Sequence, residues 1–169
     1  MTELSLIVPC YNEAQNVDAF YDRCLQVFDP AEFEVIFVND GSKDDTYKKL
    51  QHLHEEHSNV LVVNFSRNFG KEAAIYAGLH YATGTYLSII DADLQQDPEI
   101  VKHMTEIFEK KPDVDVVAAY QKQRHEGKFM AWCKDHFYRF INRLSEVDLR
   151  ENASDFRTFR RNVQEALLD

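Results

Sequence analysis

The sequence predicts an α/β fold, a mainly parallel sheet with helices on both faces, from two observations. Short β-rich apolar runs alternate with stretches of helical apolar spacing over roughly the first 120 residues, and such alternation implies right-handed crossovers between parallel strands. The runs Ile36-Phe37-Val38 and Leu87-Ser88-Ile89-Ile90 are nearly apolar on both sides, as strands buried between two helical layers are.

The elements follow in order. Leu4 to Val8 forms a strand that ends at Pro9, and from Gln15 the residues Val17, Phe20, Tyr21, Cys24, Leu25 and Phe28 recur at helical spacing. Strand Phe33 to Val38, helix Lys43 to His57, strand Val60 to Val63 and helix Lys71 to Ala82 come next. Strand Tyr86 to Ile90, helix Pro98 to Lys110 and strand Val114 to Ala119 complete the alternation. Proline placement agrees, with Pro98 at a helix start and Pro112 just past a helix end. A polar basic stretch, Gln121 to Lys128, then precedes an aromatic helical run, Phe129 to Leu144, with Trp132, His136, Phe140 and Leu144 at i+4 spacing. Such a helix either packs in a core or offers a face to lipid or another subunit. A final helix is expected from Phe156 to Leu168.

Composition bounds the rest. A chain of 169 residues, 44% hydrophobic and 12% aromatic, fits one folded domain with one core. No apolar run approaches the roughly 20 residues of a membrane span. The start, Met1-Thr2-Glu3-Leu4, lacks a basic segment followed by an apolar core, so no secretion signal is expected. Cys10, Cys24 and Cys133 are odd in number and widely spaced, which points to reduced thiols and a cytoplasmic setting. A net charge of -10 argues against nucleic acid as a partner, because phosphates would be repelled. Acids dominate residues 1–121 and bases outnumber acids over 122–161. That segment either docks an anionic partner or is a solvated pair of helices.

In open α/β sheets ligands bind beyond the carboxyl ends of the strands. Pro9-Cys10-Tyr11-Asn12-Glu13 follows the first strand, Asn39-Asp40-Gly41-Ser42-Lys43-Asp44-Asp45-Thr46 the second, and Asp91-Ala92-Asp93-Leu94-Gln95 the fourth. Acidic turns converging on one rim repel each other unless a cation or a donor-rich ligand sits among them. Asp91 and Asp93 can aim two hard oxygens at Mg²⁺ or Mn²⁺, ions that take one or two carboxylates plus phosphate oxygens and water. Alternatively, one of them caps the helix at Pro98 and the other is solvated. Asp40 belongs to a glycine turn, yet its place at a strand tip also suits hydrogen bonds from a ribose or base. Arg67 and Lys71, in Ser66-Arg67-Asn68-Phe69-Gly70-Lys71, either meet phosphate or pair with the acidic turns. The sequence has no GxGxxG, P-loop, HExxH or cysteine-histidine cluster, so dinucleotide, triphosphate-loop and zinc chemistry are unsupported.

As a set, IVPCYNE, VNDGSKDDT, NFSRNFGKEAAIYAGLHYATG, IDADLQQDPE and NASDFRTFRR resemble the family 2 glycosyltransferases of GT-A fold, in their polyprenyl-phosphate branch of dolichol-phosphate mannose and bactoprenol glucose type. The resemblance implies a catalytic domain over 1–169, with nucleotide-sugar-binding βα units in 1–120 and an acceptor-side segment in 121–169. It implies that Pro9, Tyr11, Glu13 and Asp40 hold the nucleoside, and Lys71 is a further candidate substrate-binding residue. Asp91 and Asp93 would hold Mg²⁺ or Mn²⁺ and the diphosphate, and Gln95 would lie beside the sugar or acceptor phosphate. Arg124 would meet phosphate, and Asp155 and Arg157 would occupy the acceptor side.

The implied reaction moves a hexose from a UDP- or GDP-sugar to a polyprenyl phosphate with inversion, at the cytoplasmic face of a membrane and in service of the cell envelope. With a lipid phosphate as acceptor, Asp155 positions or balances charge; with a hydroxyl, it is the candidate base; it also suits the cap of the helix expected from Phe156. The alternatives are a family 2 enzyme with a saccharide or other hydroxyl acceptor and a non-catalytic nucleotide-sugar-binding module. A nucleotidyltransferase would need a glycine-rich N-terminal loop, which IVPCYNE does not provide. The branch normally continues past the DFR motif into interfacial or membrane helices, whereas this sequence stops at Asp169; the expectation is a truncated catalytic domain, a natural short form, or a member whose membrane association comes from a partner or from the basic aromatic segment Arg124 to Arg143. Gln96 stands where relatives commonly carry an acid or a histidine.

Overall fold

The computed structural model describes residues 2–120 and 153–169. The elements are β1 (Leu4–Cys10), α1 (Val17–Val27), β2 (Phe33–Asn39), α2 (Thr46–Glu56), β3 (Val60–Asn64), α3 (Lys71–Tyr81), β4 (Tyr86–Ile89), α4 (Pro98–Lys110), β5 (Val116–Tyr120), β6 (Ala153–Arg160) and α5 (Arg161–Leu168). The strands form one sheet in the order β3-β2-β1-β4-β6-β5. β1 pairs parallel with β2 and β4, and β2 pairs parallel with β3. The α/β class and the mainly parallel sheet expected from the alternation are what the fold shows.

Side-chain alternation along β1 and β2 feeds two cores. Ile7, Ile36 and Val38 join Ala74 and Leu79 of α3, with Leu87 and Phe159, in one apolar cluster that Val163 and Leu168 of α5 cover in part. On the other parity, Phe37 meets Phe20 of α1 edge to face, and α1 packs against α2 and α4. Gly78 is required where α3 crosses the sheet: a Cβ there would lie 2.5 Å from a methyl of Ile7.

Two expectations need correction. The helix expected from Phe156 begins only at Arg161, because Ala153–Arg160 is a strand. It pairs antiparallel with β4, Leu87 opposite Phe159 and Ile89 opposite Arg157. Buried Phe156 and Phe159 at i, i+3 spacing resemble a helical face, but buried Thr158 and the long-range pairing decide otherwise. Asp155 therefore lies within a strand and is not the cap of a helix starting at Phe156. The helix expected over Phe129 to Leu144 lies outside the described residues.

Residues 1–117 with 155–169 form one compact unit. It contains every site residue discussed below except Arg124, which lies outside the described residues. Among the described residues no helix is long and apolar enough to cross a membrane.

Candidate functional site

The loops after β1 and β2 are stitched together by side chains acting on backbone. Asn12 takes a left-handed φ of 59°. Its N–H donates to Ser42 Oγ at 3.0 Å, and its Oδ1 accepts from Lys43 N at 2.8 Å. Glu13 N donates to Thr46 Oγ1 at 2.8 Å, and Ala14 N to Asp44 Oδ2 at 3.2 Å. Burial pushes the Asp44 carboxyl upward, but the Thr46 hydroxyl and the N–H groups of Thr46 and Ala14 outweigh it and hold Asp44 below the ordinary aspartate range. The polar run after β2 thus fixes the rim of the sheet before any ligand arrives.

Asp40 is buried, and its two oxygens accept from Phe69 N at 2.7 Å and Gly70 N at 3.0 Å. The β2 tip thereby grips the loop leading into α3. Gly41, at φ +64°, lets that loop approach closely: a Cβ would lie 2.3 Å from the Arg67 carbonyl carbon. Arg67 itself lies over the Phe69 ring, 4.7 Å from its centroid.

At the β4 tip the carboxylate of Asp91 is held by side chains instead. Lys71 Nζ, on the first residue of α3, is 2.7 Å from Oδ1 and 3.1 Å from Oδ2. Gln96 brackets the same residue, donating from Nε2 to Oδ2 at 3.2 Å and accepting from Asp91 N at 3.0 Å. Asp93 Oδ1 accepts from Gln95 N at 3.0 Å, and Leu94 between them takes φ 58°. Neither aspartate caps α4. Asp97 does, accepting from Glu99 N, with Pro98 in the first turn. That bond comes first, and Arg23 of α1 adds to it, so the Asp97 carboxyl lies below its usual range despite some desolvation.

These parts enclose a cleft of about 340 Å³ lined by Pro9, Cys10, Tyr11, Glu13, Asp40, Asn68, Gly70, Lys71, Asp91, Ala92 and Asp93. Seven predicted site residues therefore share one cavity: Pro9, Tyr11, Glu13, Asp40, Lys71, Asp91 and Asp93. Gln95 lies next to it in sequence but is not part of the lining. Arg157 is half-buried in β6, in register with Ile89, and Asp155 lies two residues earlier on that strand.

Sequence reading did not assign Cys10, Asn68, Gly70 or Ala92 to the site. All four belong to motifs already quoted, so adjacency within IVPCYNE, NFSRNFGK and IDADLQQ was the available signal. Cys10 is fully buried, and burial first, then Glu13 and Asp91, pushes its thiol pKa up, so it acts as an apolar wall.

The donor set fits a hard divalent cation only in part. Among the described residues no group of three or more His, Cys, Asp or Glu could hold a metal by itself. Asp91 and Asp93 offer two carboxylates, which suits Mg²⁺ or Mn²⁺ completing its shell with phosphate and water and does not suit a zinc cage.

The sequence profile described as glycosyl transferase family 2 matches residues 5–168. The chain belongs to that family. An uncharacterized glycosyltransferase of Synechocystis is 38% identical over 167 residues, covering 98% of this chain and 52% of that protein. A bactoprenol glucosyl transferase of Shigella phage SfV is 36% identical over 165 residues, covering 96% and 53%. The chain thus spans about half the length of the curated relatives it matches.

Among solved structures, residues 1–349 of S. aureus TarS superpose with a TM-score of 0.69 at 20% identity, covering 98% of this chain and 49% of that one. The mannosyltransferase PcManGT from Pyrobaculum calidifontis, in complex with GDP-Man and Mn²⁺, gives 0.69 at 21%, covering 98% and 46%. The family 2 chain has the GT-A fold of these neighbours.

Proposed function

We propose that the chain is the catalytic domain of an inverting hexosyltransferase that moves a sugar from UDP or GDP to a polyprenyl phosphate at the cytoplasmic face of a membrane. The observation that carries the reading is the meeting of seven motif residues in one cleft at the carboxyl ends of parallel strands. The likeness to bactoprenol glucosyl transferases supports the lipid acceptor, and the GDP-Man and Mn²⁺ complex of a neighbour supports the donor class.

In this reading Pro9, Tyr11, Glu13 and Asp40 form the nucleoside wall, with the half-exposed Tyr11 ring available to stack on a base. Asp40 accepts only one bond per oxygen from Phe69 and Gly70, which leaves lone pairs on a carboxylate for a base or ribose donor. Asp91 and Asp93 would hold Mg²⁺ or Mn²⁺, which would supply positive charge to the nucleoside diphosphate leaving group. Gln95 lies beside the sugar, and Arg124 and Arg157 meet phosphate, the latter by forked contact. An acceptor phosphate oxygen is already ionised near pH 7, so it needs no strong base, and Asp155 balances the charge of the cationic side chains that bind it. Its attack forms the new bond to the anomeric carbon as the bond to the diphosphate oxygen breaks on the opposite face.

The test is to incubate the protein with UDP- and GDP-sugars, Mn²⁺ and a polyprenyl phosphate and read lipid-linked sugar by mass spectrometry. A glycosyl phospholipid of inverted anomeric configuration is expected. Donor binding without transfer to any acceptor would instead support a nucleotide-sugar-binding module. Arg157→Ala is expected to raise KM for the acceptor far more than KM for the donor; equal changes would remove Arg157 from the acceptor side.

A further inference from the structure

The cleft contains a cation of its own. Lys71 Nζ straddles both oxygens of Asp91, one of the two carboxylates that would hold a divalent cation, at 2.7 Å and 3.1 Å. The pair is only partly exposed, with side-chain accessibilities of 36% and 32%, and Gln96 bonds both the Oδ2 and the backbone N–H of Asp91. Lys71 is also the first residue of α3, and the Asp40 clasp fixes the backbone just ahead of it. Its ammonium can therefore swing on its own stem while its Cα stays in place.

We propose that Lys71 is an exchangeable counter-ion: it neutralises Asp91 when the donor is absent and transfers to the donor diphosphate when a divalent cation takes its place. The inference rests on the proposed role of Asp91 and Asp93. Charge conservation across the cleft motivates it. Without donor, the Lys71 ammonium offsets one of the two aspartates. With donor, the divalent cation offsets both carboxylates, and the freed ammonium meets the new negative charge of the diphosphate. Metal and nucleotide then bind cooperatively through a single lysine, because each removes an obstacle to the other. Lys71 is a donor-binding residue in this scheme, and its signature is opposite effects on two ligands.

The experiment titrates Mn²⁺ into the protein, following free Mn²⁺ by electron paramagnetic resonance, with and without saturating UDP or GDP. In the donor-free protein Lys71→Met is expected to tighten Mn²⁺ binding by about tenfold or more, the effect of removing a unit positive charge about 5 Å from a divalent ion even at the dielectric of water. At saturating Mn²⁺ the same variant is expected to weaken nucleoside diphosphate binding by about fivefold or more. Lys71→Arg keeps the charge and is expected to hold donor-free Mn²⁺ affinity at the wild-type level. Unchanged or weaker Mn²⁺ binding by donor-free Lys71→Met overturns the exchange. The metal reading is tested separately by Asp93→Asn: wild-type Mn²⁺ affinity in that variant would remove the metal role itself, whatever Lys71 does.

Discussion

The tips of β2 and β4 present the same sequence signal, an aspartate one or two residues past a buried strand, and put it to different use. Asp40 is buried, and two backbone N–H groups hold it. Asp91 is partly open, and a lysine and a glutamine hold it. Backbone donors cannot leave without unfolding the loop, whereas an ammonium on a four-carbon stem can. The β2 tip is thus built into the architecture, and the β4 tip is available for exchange with a ligand.

Four substitutions break or sharpen that contrast. The largest effect on ligand binding is expected from Asp93→Ala, which should lower metal-dependent donor binding by at least about 100-fold and leave the thermal midpoint unchanged; calorimetry and circular dichroism check both. Gly41→Ala comes next. Its methyl would meet the Arg67 backbone at 2.3 Å from a residue at φ +64°, a combined clash and strain of about 3 kcal/mol or more, read by urea unfolding.

Asp40→Ala leaves the Phe69 and Gly70 N–H groups without their acceptor and should cost about 2 kcal/mol; a cost near zero would erase the distinction between the two tips. The smallest effect is expected away from the cleft, where Asp97→Ala removes the α4 cap and the Arg23 partner, about 1 kcal/mol at pH 7. The folded-state pKa of Asp97 lies below its unfolded value. Its contribution is therefore present above about pH 4 and fades as pH falls through the folded pKa. The gap between variant and wild type should shrink in urea titrations at pH 3.

The contrast also explains what could be read from residues alone. β1 to β4 and α4 were legible because their apolar periods are strong and Pro98 marks a start. β6 was not, because phenylalanines three apart suit a helix until a distant strand, β4, supplies the ladder. The cleft membership of Asp40, Asp91 and Asp93 followed from their places at strand tips. That Asp40 spends both oxygens on backbone did not, since its partners lie 29 and 30 residues away. Lys71 stood between phosphate and acidic turn as partners, and only coordinates place it on Asp91. The cap of α4 fell to Asp97 because it alone immediately precedes the first turn.

The close seat of Gly41 on the neighbouring loop has a bearing on engineering. A library aimed at altered donor preference that randomises positions 41, 68 and 70 would mostly return misfolded clones, since side-chain bulk at 41 collides with main chain and Gly70 sits at φ +100°. Diversity placed at Tyr11 and Gln95, which are exposed, would sample new specificities on an undisturbed frame.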